Sequence, residues 1–109
     1  AVVYTLQARS GLVGITKDQM TGLRSSSEPY AQLLARSARD KVGATWGLAE
    51  TGAAGPTGNR YGDPAGHTCI AVAGPSETVL TLRTGSDDRA DNMRAFALKT
   101  LETMETVLT

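Results

Sequence analysis

A glycine-rich stretch is the most specific chemical pattern in this sequence. Residues 51–59 read Thr-Gly-Ala-Ala-Gly-Pro-Thr-Gly-Asn and directly follow a predicted strand. Glycines lack a Cβ atom, so their backbone N–H groups can approach an anion closely. Open α/β folds bind ligands beyond the carboxyl ends of their strands. The stretch therefore predicts a ligand-binding loop, although an ordinary solvent-exposed connection fits the residues equally well.

Two familiar phosphate-binding motifs are excluded for this loop. It is not a P-loop, because no Gly-Lys-Ser/Thr follows it. It is not the dinucleotide fingerprint either, because that motif opens a helix and a strand is predicted here.

A second candidate site is the start of the last predicted helix. Residues 85–89 read Gly-Ser-Asp-Asp-Arg, and a helix N-terminus with Arg89 in its first turn can bind an anion. Asp87 and Asp88 would repel a phosphate there. A capped helix in which Arg89 pairs with a neighbouring carboxylate is therefore the favoured interpretation.

Tyr4 and Arg9 form a third candidate pair. They lie five residues apart and can share a site only if the first predicted strand ends near Leu6. From the spacing alone, a packed tyrosine and a solvated arginine are expected instead.

The sequence supports neither a metal site nor a Ser-His-Asp catalytic triad. His67 is the only histidine and Cys69 the only cysteine, whereas a metal site needs two or three further ligands. No nucleophile elbow is present for a Ser-His-Asp arrangement. No metal and no cofactor are expected, and Trp46 is expected to fill core.

Composition limits the classes of protein and partner. The chain has 109 residues, a net charge of zero and one cysteine, which indicates one domain without an internal disulfide. The neutral charge gives no electrostatic support for a nucleic-acid partner. No apolar run reaches the roughly 20 residues that span a bilayer, so no membrane partner and a cytoplasmic location are expected. The apolar start without methionine predicts further sequence upstream.

The order of predicted elements indicates an α/β fold. Strands are predicted at residues 1–6, 45–50, 68–73 and 78–84, with a hairpin turn at residues 74–77. Ser27 and Gly43 delimit a helix, and Ser86 is predicted to cap a second helix. The buried stripe of that second helix is predicted to consist of apolar residues at helical spacing: Met93, Ala97, Leu101, Met104 and Leu108.

The predicted architecture is a three-layer α/β sandwich with a mixed sheet. The first strand has no covering element before it, so the sandwich is incomplete without an upstream strand and helix. An uncovered strand edge also predicts a homo-oligomer or another partner.

Together these stretches resemble the CinA-type C-terminal domain. Its Tyr-x-x-x-x-Lys strand and the following Gly-Val/Ile segment are similar to residues 4–9 and 13–15. Its Thr/Ser-Gly-x-Ala-Gly-Pro-x-Gly loop is similar to residues 51–58, and its Pro-x-Gly to residues 64–66. Its Gly-Asp-Arg-type helix start corresponds to residues 85–89. The resemblance covers essentially the whole of residues 1–109, as the C-terminal two-thirds of the family domain.

The resemblance implies amidohydrolase chemistry on a nucleotide-like small molecule. Family members include enzymes that convert nicotinamide mononucleotide to nicotinic acid mononucleotide and ammonia. They are proposed to use a serine nucleophile, a lysine base, and supporting tyrosine and arginine. The catalytic positions implied here are Tyr4, Arg9 and Arg89, with Arg89 as a phosphate or transition-state contact. The implied substrate-binding positions are Thr51, Gly52, Ala53, Ala54, Gly55 and Pro56.

Two departures from the family pattern limit this implication. The segment that carries the nucleophilic serine lies upstream of the tyrosine, so a separate N-terminal fragment of the same precursor is expected as a partner. Arg9 replaces the lysine, and arginine keeps its proton, so it can hold an anion but cannot act as a base. A pseudoenzyme that binds a nucleotide without turnover, or an interaction module, therefore remains an alternative to the amidohydrolase.

Overall fold

A three-stranded antiparallel sheet lies at the centre of the fold, and the computed structural model describes all of residues 1–109. The strands lie in the order β1 (Gly47–Ala53), β2 (His67–Ala73) and β3 (Thr78–Arg83). The helices are α1 (Leu6–Val13), α2 (Glu28–Val42) and α3 (Arg89–Leu108). Ile70 of the central strand β2 pairs with Glu50 of β1 and with Leu80 of β3.

The helix α2 begins and ends at the residues that the sequence predicts. The Ser27 hydroxyl accepts the N–H of Tyr30, and Gly43 ends the helix with a left-handed φ of 65°. A hydroxyl N-cap satisfies an otherwise unpaired N–H, and glycine adopts the left-handed conformation without steric cost. Both predictions are confirmed, as is the hairpin that joins β2 to β3.

α2 covers one face of the sheet through small side chains. Ala31 and Ala35 pack against alternate residues of β2, which are Cys69, Ala71 and Ala73. A Cβ atom on Gly47 would lie 1.9 Å from the carbonyl oxygen of Ala35. The edge strand β1 can therefore approach α2 this closely only because residue 47 is glycine.

α3 covers the opposite face of the sheet and completes three layers. The remaining residues of β2 are buried there, and α3 contributes Phe96, which is 4% exposed. The predicted α/β class and the three-layer sandwich are confirmed. The expected mixed sheet is wrong, because all the strand pairs are antiparallel and no strand forms at residues 1–6 that could add a parallel pair.

The predicted first strand is wrong. Residues 1–4 have no regular structure, and the helix α1 begins at Leu6. The Thr5 hydroxyl caps this helix by accepting the N–H of Ala8, and Gly14 ends it with a φ of 69°. A β-branched sequence becomes a strand only beside a neighbouring strand, and β1 pairs with β2 alone.

The start and the buried side of α3 also differ from the prediction. The N-cap is Asp88, whose side chain accepts the N–H of Asp91, and not Ser86. The predicted buried stripe lies mostly on the outer face, where Met93 is 55% exposed and Leu101 65%. Buried positions of α3 instead include the polar residue Asn92. Charges on α3 are mostly basic in its first half and acidic in its second: Arg89, Asp91, Arg94, Lys99, Glu102 and Glu105.

The end of β1 and the position of Trp46 complete the description of the fold. β1 continues to Ala53, so the first residues of the glycine-rich stretch belong to a strand. Trp46 is half-buried and lies against Gly74, where a Cβ atom would be 2.4 Å from the indole ring. None of the helices is both long and apolar enough to cross a membrane.

Candidate functional site

A cavity of about 830 Å³ lies between the N-terminal segment and β1. Its walls combine apolar side chains with arginines and tyrosines. Four of the residues predicted from the sequence line it: Tyr4, Arg9, Thr51 and Gly52. The remaining predicted positions do not line it. The fold therefore brings these four predicted residues together at one cavity.

Arg9 is held in the cavity wall by two hydroxyl groups. Its Nε donates to the Tyr30 hydroxyl at 3.1 Å, and its Nη2 donates to Ser25 Oγ at 3.2 Å. The guanidinium carbon also lies 5.0 Å from the centroid of the Tyr30 ring, within cation–π range. Arg9 makes no ion pair with a carboxylate, so its charge is available to an anionic ligand.

Tyr4 shares the cavity with Arg9 but is not bonded to it. Its side chain is 91% exposed and makes no hydrogen bond within the chain. The strand that was required to place the two residues together is absent, since α1 begins at Leu6. Tyr4 is therefore a solvent-exposed residue at the cavity rather than a packed tyrosine.

Residues 48–52 of β1 form part of the cavity wall. The Thr51 hydroxyl accepts the N–H of Ser26 at 3.1 Å and so fixes the chain that precedes α2. Ser26 has a φ of 57°, a left-handed conformation that is uncommon for a non-glycine residue. A Cβ atom on Gly52 would lie 2.4 Å from the carbonyl oxygen of His67, so only glycine fits at that position.

The rest of the glycine-rich stretch turns towards α3 and away from the cavity. Nη1 of Arg89 donates to the carbonyl of Gly55 at 2.8 Å, and the Asn92 side chain donates to the carbonyl of Ala54 at 2.8 Å. The Ala53 carbonyl accepts the N–H of Gly66. Pro56 lies in a separate shallow depression beside residues 85–87. The six predicted substrate-binding residues thus do not share one surface.

Arg89 lies with this loop and not with Arg9. Its guanidinium is bound to a backbone carbonyl and not to the carboxylate that the sequence interpretation favoured. The capped helix start of that interpretation is present, with Asp88 as the N-cap. Arg89 therefore anchors the loop to α3 in this structure.

The cavity wall also contains Arg24, Arg60 and Tyr61, which no sequence motif indicates as site residues. The guanidinium carbons of Arg24 and Arg60 lie 5.0 and 5.1 Å from the centroid of the Tyr61 ring. Nη2 of Arg60 donates to the Tyr61 hydroxyl at 3.0 Å. The hydrogen bond and charge of Arg60, with smaller effects of Ser25 and Arg9, outweigh desolvation and lower the pKa of Tyr61.

The loop that carries Arg60 and Tyr61 is fixed by Asn59 and Asp63. The Asn59 side-chain oxygen accepts the N–H groups of Tyr61 and Asp63 at 2.9 and 3.1 Å, and its Nδ2 donates to the Asp63 carboxylate. Such side-chain-to-backbone bonds define a tight turn. The only sequence signal for this arrangement is the cluster of turn-forming residues at 58–64.

Asp63 joins this loop to the rest of the fold. Its side chain is 7% exposed and accepts from Nη1 of Arg24 at 2.8 Å, with Arg83 at 3.5 Å and His67 at 3.6 Å. Burial by itself would raise the pKa of Asp63, but the hydrogen bonds of Arg24 and Asn59 and the nearby charges lower it on balance. The carboxylate is therefore held ionised.

His67 and Cys69 complete a buried polar cluster. Nε of Arg83 donates to Nδ1 of His67 at 3.1 Å, so Nε2 carries the proton and donates to the carbonyl of Ser26 at 2.8 Å. Burial raises the pKa of the Cys69 thiol. No group of three His, Cys, Asp or Glu side chains is placed to hold a metal ion.

Comparisons with known proteins converge on one family. The family model of the CinA C-terminal domain matches residues 1–108. A CinA-like protein of Anaeromyxobacter sp. (strain K) is 36% identical over 107 residues, covering 98% of this chain and 26% of that protein. A CinA-like protein of Anaeromyxobacter dehalogenans (strain 2CP-1 / ATCC BAA-258) is 38% identical over 97 residues, or 87% of this chain and 24% of the relative. The chain thus spans about a quarter of the length of these relatives.

Solved structures agree with these matches. A competence or damage-inducible protein from Enterobacter asburiae superposes with a TM-score of 0.87 and 26% identity, covering 99% of this chain and 68% of that chain. A CinA superfamily protein from Escherichia coli has a TM-score of 0.87 and 21% identity, covering 97% of this chain and 62% of that one. The second likeness is a likeness of fold alone.

Proposed function

The chain belongs to the CinA C-terminal domain family, and we propose that it forms the ligand-binding part of an amidohydrolase related to nicotinamide-mononucleotide deamidases. In that reaction water hydrolyses the carboxamide of nicotinamide mononucleotide to a carboxylic acid and releases ammonia. The observation that carries the proposal is the cavity in which Arg9 and Arg60 face the end of β1 at Thr51 and Gly52. An arginine-rich cavity of this size fits an anionic, ring-containing small molecule.

Arg9 binds the anionic ligand in this proposal and is not the base. Two of its five N–H groups are used by Tyr30 and Ser25, which leaves three for a ligand. Arginine keeps its proton at any ordinary pH and therefore cannot activate a hydroxyl nucleophile. Thr51 and Gly52 hold the ligand at the strand end, and Tyr4 supports it as another residue of the cavity wall.

The nucleophile is supplied by a separate N-terminal fragment of the same precursor. β1 is an edge strand, so its outer N–H and C=O groups can pair with an added strand. The cavity lies beside this free edge. A fragment docked along β1 would therefore bring its side chains to Arg9. The share of 62–68% of the solved relatives that this chain covers leaves room for such a segment in the family fold.

An ammonia-release assay tests this proposal. The protein is purified together with any co-purifying fragment, and nicotinamide mononucleotide is added. Release of ammonia, lost in an Arg9→Gln variant and retained in Arg94→Gln, is the expected result. Arg94 is a matched control because it is 80% exposed and lies on α3 outside the cavity. A folded complex that binds the nucleotide and releases no ammonia would contradict the amidohydrolase.

Nucleotide binding without turnover is the second candidate function. It is favoured by one observation, which is that the base position holds Arg9 while its contacts still orient it for an anion. Calorimetric binding without ammonia release would support this function. The third candidate is an interaction module, which predicts that no mononucleotide raises the melting temperature of the intact protein.

A further inference from the structure

The loop at residues 58–64 holds the side chains of Arg60 and Tyr61 in the cavity wall. Asn59 holds the backbone of Tyr61 and Asp63, and Asp63 binds Arg24. A Cβ atom on Gly58 would lie 2.1 Å from the carbonyl oxygen of Asp63, so the two ends of the loop are in close contact. The loop is therefore pre-organised, and the ordering cost that ligand binding would otherwise incur is reduced.

Arg60, the arginine of this loop, forms no ion pair with a carboxylate. Arg24 is paired with Asp63, whereas Arg60 bonds only to the Tyr61 hydroxyl. Glu50 is the only acidic residue of the cavity wall, and its carboxylate accepts the hydroxyl of Thr68. Arg9 and Arg60 outnumber this one carboxylate, so the field in the cavity is positive on balance.

Tyr61 lies beside two of the cavity arginines, Arg24 and Arg60. Its ring lies beside the guanidinium groups of Arg24 and Arg60 at 5.0 and 5.1 Å. Its hydroxyl accepts from Nη2 of Arg60 at 3.0 Å, and Tyr61 lines the same cavity as Arg9. Because Arg60 and Arg9 line one cavity, both can approach an anion that binds there.

The alternative phosphate contact, Arg89, is otherwise engaged. It donates to the carbonyl of Gly55 and does not line the cavity. The aspartates beside it, Asp87 and Asp88, also repel an anion. The N-terminus of α3 therefore has no free arginine directed into the cavity.

We propose that Arg60, Tyr61 and Arg9 form the site that binds the phosphate of a phosphate-monoester ligand, with Arg60 as the residue that distinguishes the phosphorylated ligand from its nucleoside. This deepens the proposed function, on which it rests, by locating the phosphate at the loop of residues 58–64. Guanidinium groups bind phosphate oxygens through paired, charge-assisted hydrogen bonds. A phenol hydroxyl adds a further donor to the same oxygen cluster.

Titration calorimetry with three probes tests the assignment: nicotinamide mononucleotide, nicotinamide riboside and inorganic phosphate. We expect Arg60→Gln to weaken binding of the mononucleotide at least about tenfold, as loss of a charge-assisted bond implies. Riboside binding should not change, because the riboside has no phosphate. Tyr61→Phe, which keeps the ring and removes the hydroxyl, should give a smaller loss. Arg94→Gln is the control for removal of one positive charge outside the cavity.

Each outcome decides the assignment. An Arg60→Gln variant that binds mononucleotide and inorganic phosphate as tightly as the wild type overturns it, as does a loss confined to Arg89→Gln. If the wild type binds inorganic phosphate through Arg60 but not the mononucleotide, the phosphate site stands and the proposed function fails. If the wild type binds none of the probes, both fail. Arg60 is exposed and has no carboxylate partner, so an unchanged melting temperature should accompany its substitution.

Discussion

Replacing Asp63 with alanine should destabilise the fold far more than the loss of any surface ion pair. The carboxylate is 7% exposed and receives hydrogen bonds from Arg24 at 2.8 Å and from Asn59 at 2.9 Å. Arg83 and His67 lie within 3.6 Å of it. Alanine leaves Arg24 and Asn59 without this acceptor, and the loop at residues 58–64 loses its attachment to the segment before α2.

The magnitude follows from these contacts. Removing one partner of a buried, hydrogen-bonded charge costs about 3–5 kcal/mol, and the lower end applies here because water can reach part of the arginines. Arg24 and Arg83 are 40% and 58% exposed and can recover hydration. For a domain of this size, a loss of about 3 kcal/mol lowers the melting temperature by roughly 12–20 °C.

Urea denaturation provides the assay, with the single Trp46 as the fluorescence probe. Trp46 is half-buried against Gly74, so its environment changes on unfolding. The matched control is Glu77→Ala, which removes a two-bond ion pair with Arg36 on the surface and should change stability much less. Equal losses in the Asp63 and Glu77 variants, at unchanged denaturant dependence, would refute the reasoning.

Acid provides a second test of the same residue. The pKa of Asp63 is lowered from its ordinary value of 3.8, so the folded state binds its proton less readily than the unfolded state does. Its contribution to stability is therefore complete above about pH 4 to 5 and is lost as the pH falls through the folded pKa. The stability gap between wild type and Asp63→Ala should narrow over that acid range. A constant gap down to pH 2 would contradict an ionised carboxylate.

Three further predictions concern other parts of the chain. Arg9→Lys should raise ammonia release by the protein that carries its nucleophile fragment, because lysine can lose a proton; a folded variant without gain would indicate another base. Cys69 is buried and the pKa of its thiol is raised, so it should react with a disulfide reagent far more slowly in the native state than in urea; equal rates would be inconsistent with this burial. We predict that the exposed apolar stripe of α3 pairs antiparallel with a second copy, basic half against acidic half, so Leu101→Glu should abolish self-association measured by sedimentation velocity. Val42→Glu, at an exposed apolar residue of α2, is the control, and a wild type that is monomeric at every concentration would exclude the pairing.

Local signals predicted the elements whose ends are set by local chemistry. The limits of α2 follow from a hydroxyl cap at Ser27 and a left-handed glycine at Gly43, both of which depend on a few neighbouring residues. The β2–β3 hairpin follows from a turn between two β-branched runs. The first predicted strand failed because strand formation depends on a partner, and the residues nearby form the capped helix α1 instead.

The buried face of α3 could not be read from apolar spacing. Asn92 is buried because its side chain donates to the carbonyls of Ala54 and Ser86 and accepts from the hydroxyl of Thr84. A polar side chain can be buried in a core when all its hydrogen bonds are made, but a search for apolar residues at helical spacing does not predict such a residue. The apolar stripe through Leu101 is left on the outer face as a result.

Only those residues of the candidate site that belong to a local pattern or a family resemblance could be predicted from the sequence. Thr51 and Gly52 were found because the glycine-rich stretch is a local pattern, and Arg9 because of a family resemblance. Arg24 and Arg60 enter the cavity only through the contacts of Tyr61 and Asp63, which join segments far apart in the chain. The spacing of residues along the sequence does not predict contacts between such distant segments.

The glycine-rich stretch performs two tasks, which explains why its predicted residues separate in the structure. Its first residues end β1 at the cavity, where Gly52 allows the close approach of His67. Its later carbonyls, at Ala54 and Gly55, are bound by Asn92 and Arg89 of α3. α3 therefore fixes the course of the strand end without touching the cavity. An arginine that a resemblance assigns to the ligand thus acts here on the loop that positions the site, and its loss should alter binding through the backbone rather than through a missing contact.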